Sequence, residues 1–277
     1  MSHRFASEIR RALSLAFLLG LLVVGAKDAR AETERPWLGV MMGVSPSIEG
    51  VLVKHVVRGS PADRSGLRDG DRIVRIETAA VRSPVDVAKI VGTRGIGDSV
   101  TVVVAREGRT ITSKVTLATM PPGEELLRMD RVGTFAPPLG SLEGVEGNVP
   151  ASMSSLRGRV VVVDFWATWC LPCRATSPVL SGWTSRYGAQ GLSIVGVSSE
   201  SSQTISAFLR DHPAKYPVAS DPEHGAAAAY GVSGLPTLFV IDKKGVIRSV
   251  VVGFDSSRFA RLEADIQALL AEPAPTD

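Results

Sequence analysis

The sequence predicts an α/β domain over residues 132–272, preceded by a smaller, mainly-β domain. Three observations predict it. Val160 to Val163 is an unbroken β-branched run, the pattern of a strand buried on both faces. The chain around it alternates strand-like and helix-like segments. Residues 36–118 instead carry short strand-like runs separated by Gly, Pro and Ser turn signals. A length of 277 residues with 44% apolar side chains suffices for two cores of ordinary size.

The N-terminal stretch reads as a targeting signal. Arg10 and Arg11 precede an apolar run from Ala12 to Ala26, and Ala29-Arg30-Ala31 supplies the small-x-small pattern of a cleavage site. The run is apolar all round, which argues against an amphipathic helix, and it is short for a membrane span. The expectation is export, with residues 1–31 removed, the alternative being an uncleaved membrane anchor. Residues 1–31 hold five basic and two acidic side chains, and their net +3 equals that of the whole chain. The remainder is balanced, so no basic excess points to nucleic acid as a partner.

The first domain, residues 35–119, reads as strands over Trp37–Val44 and Val51–Arg58 around a turn at 45–50. A short helix follows, capped by Ser60 with Pro61 at its first position, and then a strand over Asp71–Ile76. Ser83-Pro84 opens a helix to about Thr93, and Val100–Arg106 with Thr110–Leu117 forms a hairpin turning at Glu107-Gly108. No catalytic constellation is present. Trp37-Leu38-Gly39-Val40, Gly59-Ser60-Pro61-Ala62, Ser65-Gly66-Leu67 and Asp69-Gly70-Asp71-Arg72-Ile73 together resemble a PDZ domain of the bacterial HtrA type. That resemblance implies binding of a peptide C-terminus by strand addition beside Leu38, Gly39, Val40 and Met41, against the helix from Ser83 to Thr93. Backbone amides near Gly39 would take the terminal carboxylate. The plainer reading makes Leu38, Val40 and the helix valines core alone. Residues 120–131, opening with Pro121-Pro122-Gly123, read as a linker whose middle has one or two helical turns.

Cys170 and Cys173 are the two cysteines of the chain, and they close the stretch Val160–Cys173. The spacing lets both sulfurs sit in the first turn of a helix. Helix N-terminal amides favour a thiolate on the first cysteine, and lowering a thiol pKa from about 8.5 makes a nucleophile near neutrality. A bridge across so short a loop stabilises a fold little, which disfavours a structural staple. Pro172 lacks an N–H and fits a helix's first turn. The competing readings are an inert core pair and a zinc site, but His3, His55, His212 and His224 lie at no ligand spacing.

Val-Asp-Phe-Trp-Ala-Thr-Trp-Cys-Leu-Pro-Cys, residues 163–173, resembles the thioredoxin active site, and its flanks resemble the TlpA/ResA branch. Gly133-Thr134-Phe135-Ala136-Pro137, Ser154-Ser155-Leu156-Arg157-Gly158 and Gly234-Leu235-Pro236-Thr237 extend the resemblance over most of residues 132–270. It implies a thioredoxin-like fold, a central mixed sheet flanked by helices. A helix runs from the cysteines to Tyr187 with Pro178 inside, and Leu192–Ser198 is a parallel strand. Helices follow at Gln203–His212 and Glu223–Tyr230, and strands at Thr237–Ile241 and Val246–Val252. A last helix, capped by Ser256, ends near Ala271 before a disordered tail, residues 273–277.

The resemblance also implies roles. Cys170 attacks a client disulfide and Cys173 resolves the mixed disulfide, Cys173 being the less exposed. Asp164 lies beneath the pair as proton acceptor, Pro236 is cis and faces the sulfurs, Trp169 borders the site and Trp166 packs. Asp164 departs from the Asn found in many TlpA/ResA-like proteins, and no lysine stands on Leu192–Ser198 where thioredoxin has one near its acid. Leu171-Pro172 leans toward a reductase, with oxidase or isomerase as the alternative and a peptide-binding adaptor with secondary redox activity as another. Clients bearing disulfides or thiols and a membrane electron donor are the expected partners. Apart from the dithiol, no cofactor is expected.

Overall fold

The computed structural model describes residues 35–43 and 49–275. The expected signal at 1–31, most of the turn at 45–50 and the end of the tail lie outside the described residues. The chain divides into two units between Pro121 and Pro122.

The first unit contains, in order, β1 (Pro36–Trp37), β2 (Val40–Gly43), β3 (Val51–Val56), α1 (Pro61–Arg64), β4 (Arg72–Ile76), β5 (Ala79–Ala80), α2 (Pro84–Gly92), β6 (Ser99–Arg106), β7 (Arg109–Thr116) and β8 (Ala118–Thr119). The sheet runs β2-β3-β4-β6-β7, with β5 on β4, and β1 pairs separately with β8. The strand expected over Trp37–Val44 is therefore broken at Gly39. Gly39 has φ +93°, and a Cβ there would lie 2.1 Å from the Ser60 Cβ. The Ser60 hydroxyl donates to Gly39 O, and Ala62 N donates to Leu38 O. This contact, invisible to a strand pattern, turns the chain between β1 and β2. Both helices start as expected, with Ser60 and Ser83 as caps and proline at the first position.

The second unit begins with α3 (Gly123–Arg131), the helical turns expected in the middle of the linker. Leu127 is buried in a core shared with Tyr230 and Val250, so this segment packs against its own unit and does not serve as a free tether. Then come β9 (Glu143–Glu146), a 3₁₀ turn (Met153–Leu156), β10 (Val160–Phe165), α4 (Leu171–Tyr187), β11 (Leu192–Ser198), α5 (Ser202–Leu209), β12 (Val218–Ser220), α6 (Gly225–Tyr230), β13 (Thr237–Ile241), β14 (Ile247–Val252) and α7 (Ser256–Ala271). The sheet order is β14-β13-β10-β11-β12-β9. β10, β11 and β12 are parallel, while β13, β14 and β9 pair antiparallel, which makes the sheet mixed. The α7 cap is Asp255, not Ser256: the Asp255 carboxylate accepts from Arg258 N at 2.9 Å, a bond a carboxylate one residue earlier can reach. β9 and β12 were not foreseen, being short and without alternation.

Strand alternation divides the β10 side chains between two cores. Val160 and Val162 join Leu180, Trp183, Phe259 and Ile266 of α4 and α7 on one face. Val161, Val163 and Phe165 join Ala226, Tyr230 and Phe239 on the other. By the same alternation Asp164 belongs to the face covered by α4.

Candidate active site

The C-terminal end of β10 delivers the site. After Phe165 the chain turns through Trp166–Trp169 and enters α4, whose N-cap is Cys170. Cys170 Sγ accepts from Cys173 N at 3.2 Å, so a helix N–H already points at this sulfur. Cys170 and Cys173 are joined by a disulfide. In this oxidised form each is 3% exposed, so the expected contrast between an outer and an inner cysteine is not one of burial. The difference is chemical: Cys170 holds the helix N–H, and Cys173 lines a cavity together with Asp164.

Asp164 is 1% exposed, and its Oδ1 has no hydrogen-bond partner. Burial raises its pKa from the ordinary carboxylate value to about 7. The parallel register sets Gly196 beside Asp164. That position carries no side chain, and its space is taken: a Cβ there would lie 3.1 Å from Trp166 Nε1 and 3.1 Å from Tyr216 Cε2. An indole and a phenol thus occupy the ground where a cation would neutralise the acid.

Pro236 precedes β13, and the antiparallel pair Phe165–Thr237 sets it at the same end of the sheet as Trp166. The Leu235–Pro236 peptide is cis, and Leu235 packs on the core that contains both cysteines. Trp169 is 72% exposed beside the equally exposed Leu171, giving the disulfide an apolar surround that faces solvent. A cavity of about 380 Å³ runs between Trp169, Ala167, Glu200, His224 and Leu235. Trp166 packs as expected, buried against Phe208 at 5.7 Å between ring centres.

Glu200 is not among the site residues expected from the sequence. Its carboxylate accepts from Thr168 N at 2.6 Å and Thr168 Oγ1 at 2.7 Å, while Arg174 Nη2 donates to Thr168 O at 3.3 Å. The loop before Cys170 is therefore held from the end of β11 and from α4 at once. An acid just after a strand carries no sequence signal of such a role.

In the first unit, Leu38 is buried in the core with Val87 and Val91 of α2. Val40 packs beside them half-buried, and Met41 is exposed. β2 is the edge strand of its sheet among the described residues. Of the four predicted peptide-binding residues, Leu38 therefore contributes core, Gly39 the turn, and Val40 and Met41 an open strand edge.

Residues 132–250 match the AhpC/TSA family and residues 19–117 the PDZ domain family. The chain is 35% identical over 102 residues to thiol-disulfide oxidoreductase ResA of Bacillus subtilis (strain 168), covering 36% of this chain and 57% of that protein. It is 34% identical over 125 residues to ResA of Geobacillus thermodenitrificans (strain NG80-2), covering 44% and 70% respectively. A crystal structure of a thiol:disulfide interchange protein, thioredoxin family, from Chlorobium tepidum TLS is 30% identical with a TM-score of 0.44, covering 51% of this chain and 99% of that one.

Proposed function

Since the chain belongs to the thioredoxin-like family of ResA thiol-disulfide oxidoreductases and carries a PDZ domain before that fold, we propose that it is an exported reductase of client disulfides. The observation that carries this reading is the Cys170–Cys173 pair at the start of α4, with the buried Asp164 lining the same cavity as Cys173. In the reduced protein the Cys170 thiolate attacks one sulfur of the client disulfide, and the client's other sulfur leaves as a thiolate. Cys173 then passes its proton to Asp164, and its sulfur displaces the second client sulfur from Cys170. Two electrons move from the dithiol to the client, and the Cys170–Cys173 disulfide remains. A membrane electron donor on the exported side would restore the dithiol. No helix among the described residues is long and apolar enough to cross a membrane. Recovered from the extracytoplasmic fraction, the mature chain is expected to begin at Glu32 and to reduce insulin, and Cys170→Ser to lose that reduction. Insulin reduction by Cys170→Ser at the wild-type rate contradicts the reading.

The PDZ domain positions clients by strand addition along β2. The open edge at Val40 and Met41 and the turn at Gly39 support this. Full-length protein is expected to bind peptides ending in an apolar residue with a free carboxylate at least about tenfold more tightly than their amidated forms, a difference of about 1.4 kcal/mol. Fluorescence anisotropy reads this directly, and equal affinities for the two forms contradict strand-addition capture of a C-terminus.

A further inference from the structure

A proton that Asp164 takes from Cys173 has no exit on the sheet side. Val160 and Val162 share the Asp164 face of β10, and Gly196 and Leu238 flank Asp164 on β11 and β13. Asp164 does line a cavity of about 310 Å³ between α4 and the segment 208–218. Two buried polar atoms without a partner, Asp164 Oδ1 and Trp166 Nε1, belong to residues of this lining. Leaving such atoms unsatisfied is unfavourable, and a cavity of this size has room for several waters that would satisfy them. Tyr216 is the buried hydroxyl of the same wall, and its ring covers the Gly196 position beside Asp164. Its O–H donates to Ser177 Oγ at 3.4 Å, and Ser177, on α4, is half-buried.

We propose that Tyr216 and Ser177 are the proton exit of Asp164: a hydroxyl pair that links the cavity beneath Cys173 to solvent, in the place where a cation would otherwise stand. They are positioning residues, acting through Asp164. The inference rests on Asp164 being the proton acceptor in the resolving step. The proton leaves the Cys173 thiol for the Asp164 carboxylate as the Cys173–Cys170 bond forms. It then passes through cavity water to the Tyr216 oxygen while the Tyr216 proton moves to Ser177 and out. No electrons move in this transfer, and the reverse path supplies the proton when the disulfide is reduced again. Burial, and next the charge of Asp164, push the Tyr216 phenol above its ordinary pKa, so it stays a neutral hydroxyl able to accept and donate. The other charged or titratable groups of the lining are Arg174 on α4 and Asp211, His212 and Lys215 on the facing segment.

Tyr216→Phe keeps the ring and deletes the hydroxyl, and Ser177→Ala tests the pair from the helix side. At saturating client and reductant in dilute buffer, each is expected to lower kcat about tenfold, well short of the effect of removing the base itself. The kcat/KM for the client, set by Cys170 attack, is expected to be unchanged. Added imidazole, a small diffusible base, is expected to restore kcat. In an Asp164→Asn background neither substitution should lower kcat further, and imidazole should have no effect. Wild-type kcat in both hydroxyl variants, with Asp164→Asn impaired, overturns the exit and leaves the base role standing. An equal loss in the Asp164→Asn background, without rescue, makes Tyr216 a packing residue and also overturns the exit. Unimpaired kcat in Asp164→Asn removes the base role and the exit with it.

Discussion

Asp164→Asn is expected to stabilise the oxidised protein at pH 8 by on the order of 4 kcal/mol, and to leave its stability at pH 4 nearly unchanged. The sign follows from burial. Desolvation raises the folded-state pKa of Asp164 from 3.8 to about 7. In the unfolded chain the carboxyl ionises near its ordinary value, so between about pH 4 and 7 the folded state binds the extra proton. Stability therefore falls as pH rises through that window, and the full penalty is present above it. Asparagine cannot ionise, so the variant escapes the loss while nearly keeping the shape of the side chain. Urea denaturation at pH 4 and pH 8 measures the difference. A variant no more stable than wild type at pH 8 would mean that the acid has a stabilising partner when charged. The same substitution is expected to slow the resolving step by about a hundredfold or more, the ordinary worth of a positioned base. Stability gained and turnover lost at one position is the signature of a group kept for its chemistry.

The second large effect is at Cys173. Cys173→Ala is expected to abolish turnover and leave the first attack intact, so that client proteins accumulate in mixed disulfides with Cys170. The asymmetry rests on position. Cys170 caps α4 and takes the Cys173 N–H, which stabilises its thiolate, while the Cys173 side chain lines the Asp164 cavity. Non-reducing electrophoresis followed by peptide mass spectrometry identifies the clients and the sulfur that holds them. Cys170→Ala should trap far less, because its remaining thiol is the one that needs a base. Equal trapping by the two variants contradicts the assignment of nucleophile and resolving thiol.

Much of this architecture was legible in the sequence because its strongest signals are local. The four valines of β10 carry the β-branched run of a strand buried on both faces, and Pro172 with Tyr187 bracketed α4 correctly. What escaped depended on contacts between distant residues. Gly39 breaks a strand because Ser60 crosses it at 2.1 Å from where its Cβ would be, twenty-one positions away. The helical turns expected within residues 120–131 form, but the burial of Leu127 beside Gly231, where a Cβ would lie 3.3 Å from the leucine methyl, has no local signal. Glu200 reaches Thr168 across thirty-two residues, and no pattern of charge announces such a reach. The absence of a lysine near Asp164 was readable, but its replacement was not. Only the pairing of Asp164 with Gly196 reveals that Trp166 and Tyr216 occupy that ground.

The reductase reading turns on the redox potential of the Cys170–Cys173 pair. Equilibration of the full-length protein with glutathione buffers, followed by thiol alkylation and mass spectrometry, measures it directly. The expected potential lies toward the thioredoxin end of the range, about −200 mV or lower, since Leu171-Pro172 places no histidine between the cysteines. A value near about −120 mV, that of a strong oxidant, would contradict it and make the protein a donor of disulfides.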